Sequence, residues 1–209
     1  MYTPPAFRLD DPAELAEMIR AARLATLVTA TDEGLVATHL PLVFDETDGP
    51  HGALIGHVAR ANSQWKSPPI GETLVIFSGL DAYITPSWYE TKRRTGKAVP
   101  TWNYSVLHAY GPVEFFEDAD RLLAAVTRLT DRHEAGRADA WKVEEAPDGF
   151  IAAQLRGIVG VRIPISRVEG KVKMSQNRPV EDRRGVAAGL GESPDETDRR
   201  VAGMIPTDG

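Results

Sequence analysis

Four stretches of the chain carry polar and aromatic side chains where an ordinary core strand would not. Gly56-His57-Val58-Ala59-Arg60-Ala61-Asn62-Ser63-Gln64-Trp65 ends a strand and opens a short turn or helix. Such a junction leaves backbone N–H groups free, and Arg60 adds a fork of donors with permanent charge. Together they suit a phosphate monoester. The same residues also read as a capped, solvated helix start.

Asp81-Ala82-Tyr83-Ile84-Thr85-Pro86-Ser87-Trp88-Tyr89 gathers three aromatics ahead of Lys92 and Lys97. It reads as a stacking platform or as the closed end of a barrel. In Trp102-Asn103-Tyr104 and onward, residues 102, 104, 106, 108 and 110 share one face by the two-residue strand period. That face carries Trp, Tyr, Val, His and Tyr. It suits a flat heteroaromatic ligand or a packed subunit interface equally. In Glu169-Gly170-Lys171-Val172-Lys173-Met174-Ser175-Gln176-Asn177-Arg178, five donor side chains follow the last strand. They form either a solvated surface or an arm reaching over a ligand.

Other chemistries lack their residues. There is no G-x-G-x-x-G, Walker loop or G-x-S-x-G, so Rossmann, P-loop and nucleophile-elbow readings fail. The five histidines (His39, His51, His57, His108, His133) have no H-E-x-x-H spacing, and no metal is expected. With no cysteine, disulfides, thiolate metal sites and cysteine nucleophiles are excluded. A formal net charge of −6 argues against a DNA-coating surface, since phosphate neutralisation needs concentrated Lys and Arg. No basic-then-apolar leader opens the sequence and no apolar run approaches ~20 residues. The expectation is a cytoplasmic protein without membrane contact.

Elements must hold these stretches in place. Asp11, Pro12 and Glu14 start a helix whose stripe (Leu15, Met18, Ile19, Ala22) ends near Arg23. Short strands are expected at 24–30, 35–44, 53–58, 73–78 and 82–85, then a longer one at 102–116 with a bend near Gly111-Pro112. Residues 118–134 return to helical period, 158–168 form a strand, 171–184 a polar stretch, and 194–204 a helix capped at Ser193. Hairpin-length gaps favour an antiparallel barrel over a βαβ sheet. The 209 residues, 42% of them hydrophobic, can bury roughly 70% of the unfolded surface around one core. We read a mainly β (α+β) split barrel of about six to eight antiparallel strands with peripheral helices. It forms one domain over 1–209, with a C-terminal arm and helix at about 171–205.

Met1-Tyr2-Thr3-Pro4-Pro5-Ala6-Phe7, His39-Leu40-Pro41-Leu42 and Gly56–Asn62 resemble the PaiB family of FMN-binding negative transcriptional regulators. So do Gly96–Tyr104, His108-Ala109-Tyr110-Gly111 and Lys173–Arg178, in order along residues 1 to about 190. The resemblance implies an FMN-binding split β-barrel and a homodimer with FMN at the subunit interface. It maps the phosphate onto His57, Val58, Ala59, Arg60 and Asn62, and the isoalloxazine onto Thr101, Trp102, Asn103 and Tyr104. Lys173, Gln176 and Arg178 belong to the same site, with Lys173 or Arg178 of the partner subunit expected to reach the ring edge or the phosphate. The function it implies is negative transcriptional regulation; the negative net charge and the lack of a helix-turn-helix pattern argue against direct DNA binding. Two alternatives stay open: an FMN-dependent oxidoreductase or flavin reductase acting on a small substrate, and a haem-binding or haem-degrading split barrel.

Overall fold

The computed structural model describes residues 1–147 and 149–208. In chain order its elements are β1 (Arg8–Leu9), α1 (Pro12–Ala21), β2 (Ala25–Thr31), β3 (Gly34–Leu40), β4 (Leu42–Asp45), β5 (Ala53–Ala59) and β6 (Thr73–Ile84). Then follow α2 (Glu90–Thr95), β7 (Thr101–Gly111), β8 (Glu114–Phe116), α3 (Ala119–Glu134) and α4 (Phe150–Leu155). The chain ends with β9 (Ile158–Pro164), β10 (Arg167–Lys173), α5 (Val180–Gly191) and α6 (Glu196–Ala202).

Helix starts follow the side chains that can take up free N–H groups. Asp11 Oδ1 accepts from Ala13 N at 2.9 Å and Glu14 N at 3.0 Å, and Asp118 Oδ1 accepts from Arg121 N at 2.9 Å. At the last helix the cap is Asp195, which accepts from Thr197 N, so α6 begins two residues later than its sequence signal. Pro41 divides the expected 35–44 strand into β3 and β4, since proline has no N–H to give a ladder. The expected break between 78 and 82 is absent. β6 runs unbroken through Gly79, where a Cβ would lie 2.1 Å from Ser105 Oγ, so glycine marks close approach of a neighbouring strand.

The chain divides into two compact units, and β6 and β7 each contribute to both. One comprises Met1–Leu15, Ser78–Leu107 and Glu169–Gly209. Its strands follow the order β1-β10-β7-β6, with Arg8 opposite Lys171 in the antiparallel β1–β10 pair. Its core gathers Ala82, Ile84, Tyr89, Met174, Val186 and Leu190. The stretch expected to be a polar arm is therefore ordered: β10 continues to Lys173, and α5 buries Val186 and Leu190. Apolar residues four apart, hidden among charges, decide this.

The other unit comprises Ala16–Phe77 and His108–Val168. Here β2 lies between β6 and β3, alternating buried and half-buried residues, while a second sheet has the order β4-β5-β9-β8. Its core includes Leu27, Leu54, Val75, Val159, Val161 and Ile163. α3 lies against β4, β5 and β9 and buries Leu122, Ala125 and Leu129. Opposite Phe116, Gly160 leaves room for the ring, whose atoms lie 2.3 Å from where a Cβ would sit.

Candidate functional site

The first candidate group grows from the end of β5. Val58 is a core residue and Ala59 is exposed. The chain then leaves the sheet, and Arg60 N donates to Gly157 O at 2.8 Å. The Arg60 side chain folds back on the start of β9. Nε donates to Arg156 O at 2.6 Å, Nη2 to Ile158 O at 3.1 Å, and Nη1 to the carboxylate of Glu117. Two of these partners are fixed backbone carbonyls, while the third is a side chain 55% exposed. Trp65 Nε1 donates to Arg60 O at 3.0 Å. Asn62 caps the single 3₁₀ turn that follows: its Oδ1 accepts from Gln64 N at 2.9 Å and its Nδ2 donates to Thr38 Oγ1 at 2.8 Å. Asn62 thus acts within the turn.

His57 makes none of these bonds. Its half-buried ring lines a separate cavity, its Nδ1 is buried without a partner, and burial pushes the imidazole below its ordinary value.

The second candidate group belongs to the unit containing the start of β7 and β10. Lys173 Nζ donates to Thr101 Oγ1 at 2.6 Å and to Trp102 O at 2.7 Å. The Trp102 ring is 52% exposed and meets Tyr83 edge-on at 5.8 Å between centroids. Asn103 points the opposite way, fully buried. Its Oδ1 accepts from Ser175 Oγ at 3.1 Å, whereas its Nδ2 has no partner. Tyr104 carries Lys171 Nζ 4.9 Å and Lys173 Nζ 5.9 Å from its ring centroid. Gln176 braces the turn after β10, accepting from Met174 N and donating to Val172 O, both at 2.6 Å. Arg178 lies 4.9 Å from the Tyr89 centroid.

Charge is the distinctive property of this second group. Lys171 is only 7% exposed, and its Nζ donates to Tyr2 O at 3.2 Å. Among the described residues, no carboxylate lies within ion-pair distance of Lys171, Lys173 or Arg178. Burial pushes the Lys173 ammonium below the usual lysine range; Tyr104 raises it, and Lys171 and Arg178 lower it further. A buried cation without a counter-charge costs free energy, which an anion would offset. One residue escaped the sequence reading: Glu117 is 57 positions from Arg60 and has no local signal. Lys171, one of the five donors expected after the last strand, shares a strand face with Lys173 by the two-residue period.

Three comparisons place the chain. Residues 1–167 match a family described as "Putative FMN-binding domain". Protease synthase and sporulation protein PAI 2 of Bacillus subtilis (strain 168) is 31% identical over 206 residues, covering 98% of this chain and 96% of that protein. The Aspergillus fumigatus protein AFUA_5G13800 is 32% identical, covering 84% and 85% respectively. Among solved structures, the flavocytochrome Anf3 of Azotobacter vinelandii superposes with a TM-score of 0.61 at 14% identity, covering 80% of this chain and 69% of its own. A protein of Mycobacterium smegmatis that binds FAD and haem reaches 0.59 at 16% identity, covering 87% and 80%. With its antiparallel strands in two sheets and this match over most of its length, the chain belongs to the FMN-binding family and has a split-barrel fold.

Proposed function

We propose that the protein binds FMN non-covalently as a cytoplasmic homodimer, with the flavin at the subunit interface, and acts as a PaiB-like negative regulator through the bound flavin. One observation carries the reading: Lys171 and Lys173 lie over the Tyr104 ring, Arg178 adds its charge to the field at Lys173, and among the described residues no carboxylate lies within ion-pair distance of the three. Such a group is suited to an anionic, partly aromatic ligand. The donor set agrees with FMN. Trp102 offers an exposed flat face, Thr101 and Tyr104 flank it, and Lys173 supplies an ammonium to a polar ring edge. Asn103 Nδ2 is a buried donor still without an acceptor.

Arg60 serves the phosphate. Two backbone carbonyls hold its guanidinium in place, and a phosphate dianion takes over the Nη1 donor from Glu117. Exchanging that partner is cheap, because exposed ion pairs contribute about 0–1 kcal/mol. Asn62 keeps the turn closed beneath it, and Gln176 keeps Lys173 and Arg178 in register. Bound FMN supplies hydride and electron chemistry; the side chains supply position and charge.

A second reading, an FMN-dependent oxidoreductase, draws on the exposed Tyr83–Trp102 pair, an aromatic surface on which a small substrate can stack. A titration tests the proposal. Purified protein is titrated with FMN and followed by visible absorbance and flavin fluorescence. Saturation at one FMN per chain is expected; no binding at micromolar FMN would refute the reading. Oxidation of NAD(P)H by the loaded protein would favour the second reading over the first.

A further inference from the structure

A cavity of about 270 Å³ lies wholly within the unit that holds α3 and α4. Its walls come from four elements and a loop: His57 on β5, Val126 and Thr130 on α3, Trp141 in the loop, Ile151 on α4 and Ile158 on β9. We propose that this cavity is a binding site for a small, neutral, hydroxyl-bearing ring compound of the phenol class, separate from the flavin.

Three observations carry the inference. Among the described residues no Asp, Glu, Lys or Arg lines the cavity, so none of them compensates an ion there, and ionic ligands would lose hydration without return. Val126, Val143, Ile151, Leu155 and Ile158 give an aliphatic side and Trp141 an indole, which favours a flat body, while Thr130 and Gln154 add polar side chains. Against that wall stands one unmet polar atom, His57 Nδ1, buried and without a hydrogen-bond partner.

Burial as such lowers the proton affinity of this imidazole, which keeps it neutral and leaves it one donor and one acceptor. A hydroxyl both donates and accepts, so it meets Nδ1 in either tautomer, and the Thr130 side chain adds a second polar contact point. The space is many times the ~30 Å³ share of one water, so a single bridging water would not fill it.

The proposal does not depend on the flavin reading. The test compares phenol with toluene, which match in size and differ in the hydroxyl. A dry apolar cavity prefers toluene, because phenol must surrender its hydrogen bonds to water. Here calorimetry on the wild-type protein is expected to show phenol binding at least about fivefold more tightly than toluene, since a satisfied buried acceptor reverses the order. The His57 ring nitrogens should also shift in ¹⁵N NMR on adding phenol.

His57→Phe keeps a ring and removes the nitrogens; it should restore the preference for toluene. Ile151→Trp fills the cavity from α4 without touching His57, and should abolish binding of both probes. If the first variant does not fold, the wild-type ranking and the second variant still decide. Phenol affinity should be unchanged by saturating FMN. The proposal is overturned if toluene binds as tightly as phenol, if phenol does not bind, if the His57 nitrogens do not shift, or if FMN displaces phenol. Failure of FMN to bind would leave the phenol ranking readable, so the two ideas fail separately.

Discussion

Arg60 shows how much of a side chain's role depends on what it holds at rest. Its type and place after a strand identify it as an anion donor, but its three bonds are to Glu117 and to two carbonyls of the segment entering β9. If the carbonyls orient the guanidinium and Glu117 merely occupies it, two substitutions separate the roles. Arg60→Ala should weaken FMN binding at least about tenfold, equivalent to ~1.4 kcal/mol. Glu117→Gln should leave the affinity equal or tighter; both are read by fluorescence titration, and an unchanged affinity in Arg60→Ala removes that residue from the site.

Lys173 tests the other group. Its folded-state pKa lies below its ordinary 10.5, so between those values the unfolded chain binds the extra proton and stability rises with pH. At neutral pH, holding the charge costs the free protein stability. Lys173→Met should therefore leave the melting temperature of the unliganded protein equal or higher while weakening FMN binding about tenfold or more. A variant that binds FMN as the wild type does would assign Lys173 a purely structural role. The local sequence discloses donor types at both positions; it discloses neither the carboxylate that one has nor the lack of one at the other.

Elements are tied together by arginines that sequence reading passed over. Arg162 on β9 donates twice to Asp48, in the turn after β4, at 2.6 and 2.7 Å, and to Glu114 on β8 at 3.3 Å. Arg121 of α3 joins Glu114 at 2.7 Å. Hydrogen bonding from Arg162 holds the Asp48 carboxyl below its ordinary 3.8; that from Arg121, and then Arg162, holds Glu114 below its ordinary 4.5. A depressed carboxylate pKa gives stability that is fully present above the unfolded value and is lost as pH falls through the folded one. Arg162→Met should thus cost about 2 kcal/mol in urea unfolding at pH 7, and its deficit against wild type should shrink below pH 4. A pH-independent deficit would mean that packing, not charge, is what the arginine provides. Arg132 is a related clamp: it donates to Leu42 O at 2.6 Å and to Ala22 O at 2.6 Å, which ties the end of α1 to β4. Such links join residues 90 or more positions apart, so no local pattern announces them.

At the scale of the whole molecule, charge and assembly are the quantities to measure. The net charge of −6 leaves little long-range attraction for DNA. A mobility-shift assay should show no retardation that survives moderate salt; salt-resistant, sequence-dependent binding would instead support direct DNA contact. Light scattering should give twice the chain mass of 22.8 kDa, with or without FMN. A monomer in both states would remove the shared-interface part of the proposed function. Two exposed aromatics, Tyr83 and Trp102, should respond first to either partner, since both lie on the surface of their unit.

The sequence by itself determined what is written in local periods and caps. The helix from Asp11 and the one from Asp118, the β2 and β5 strands, and the absence of thiol, Rossmann and P-loop chemistry all belong here. These depend on residues within a few positions of one another, so a one-dimensional reading reaches them. The family resemblance, carried by motifs spread along the chain, foretold the split barrel and the flavin. Only the tertiary structure decided that β6 passes unbroken through Gly79 and that the polar tail folds into β10 and α5. It also gave His57 and Arg60 different surroundings, a cavity wall for one and two carbonyls with a carboxylate for the other, although only three positions divide them. A strand sends alternate side chains to opposite faces, and the chain turns out of the sheet between the two. Which group then finds a carboxylate, a carbonyl or an empty cavity is set by distant segments.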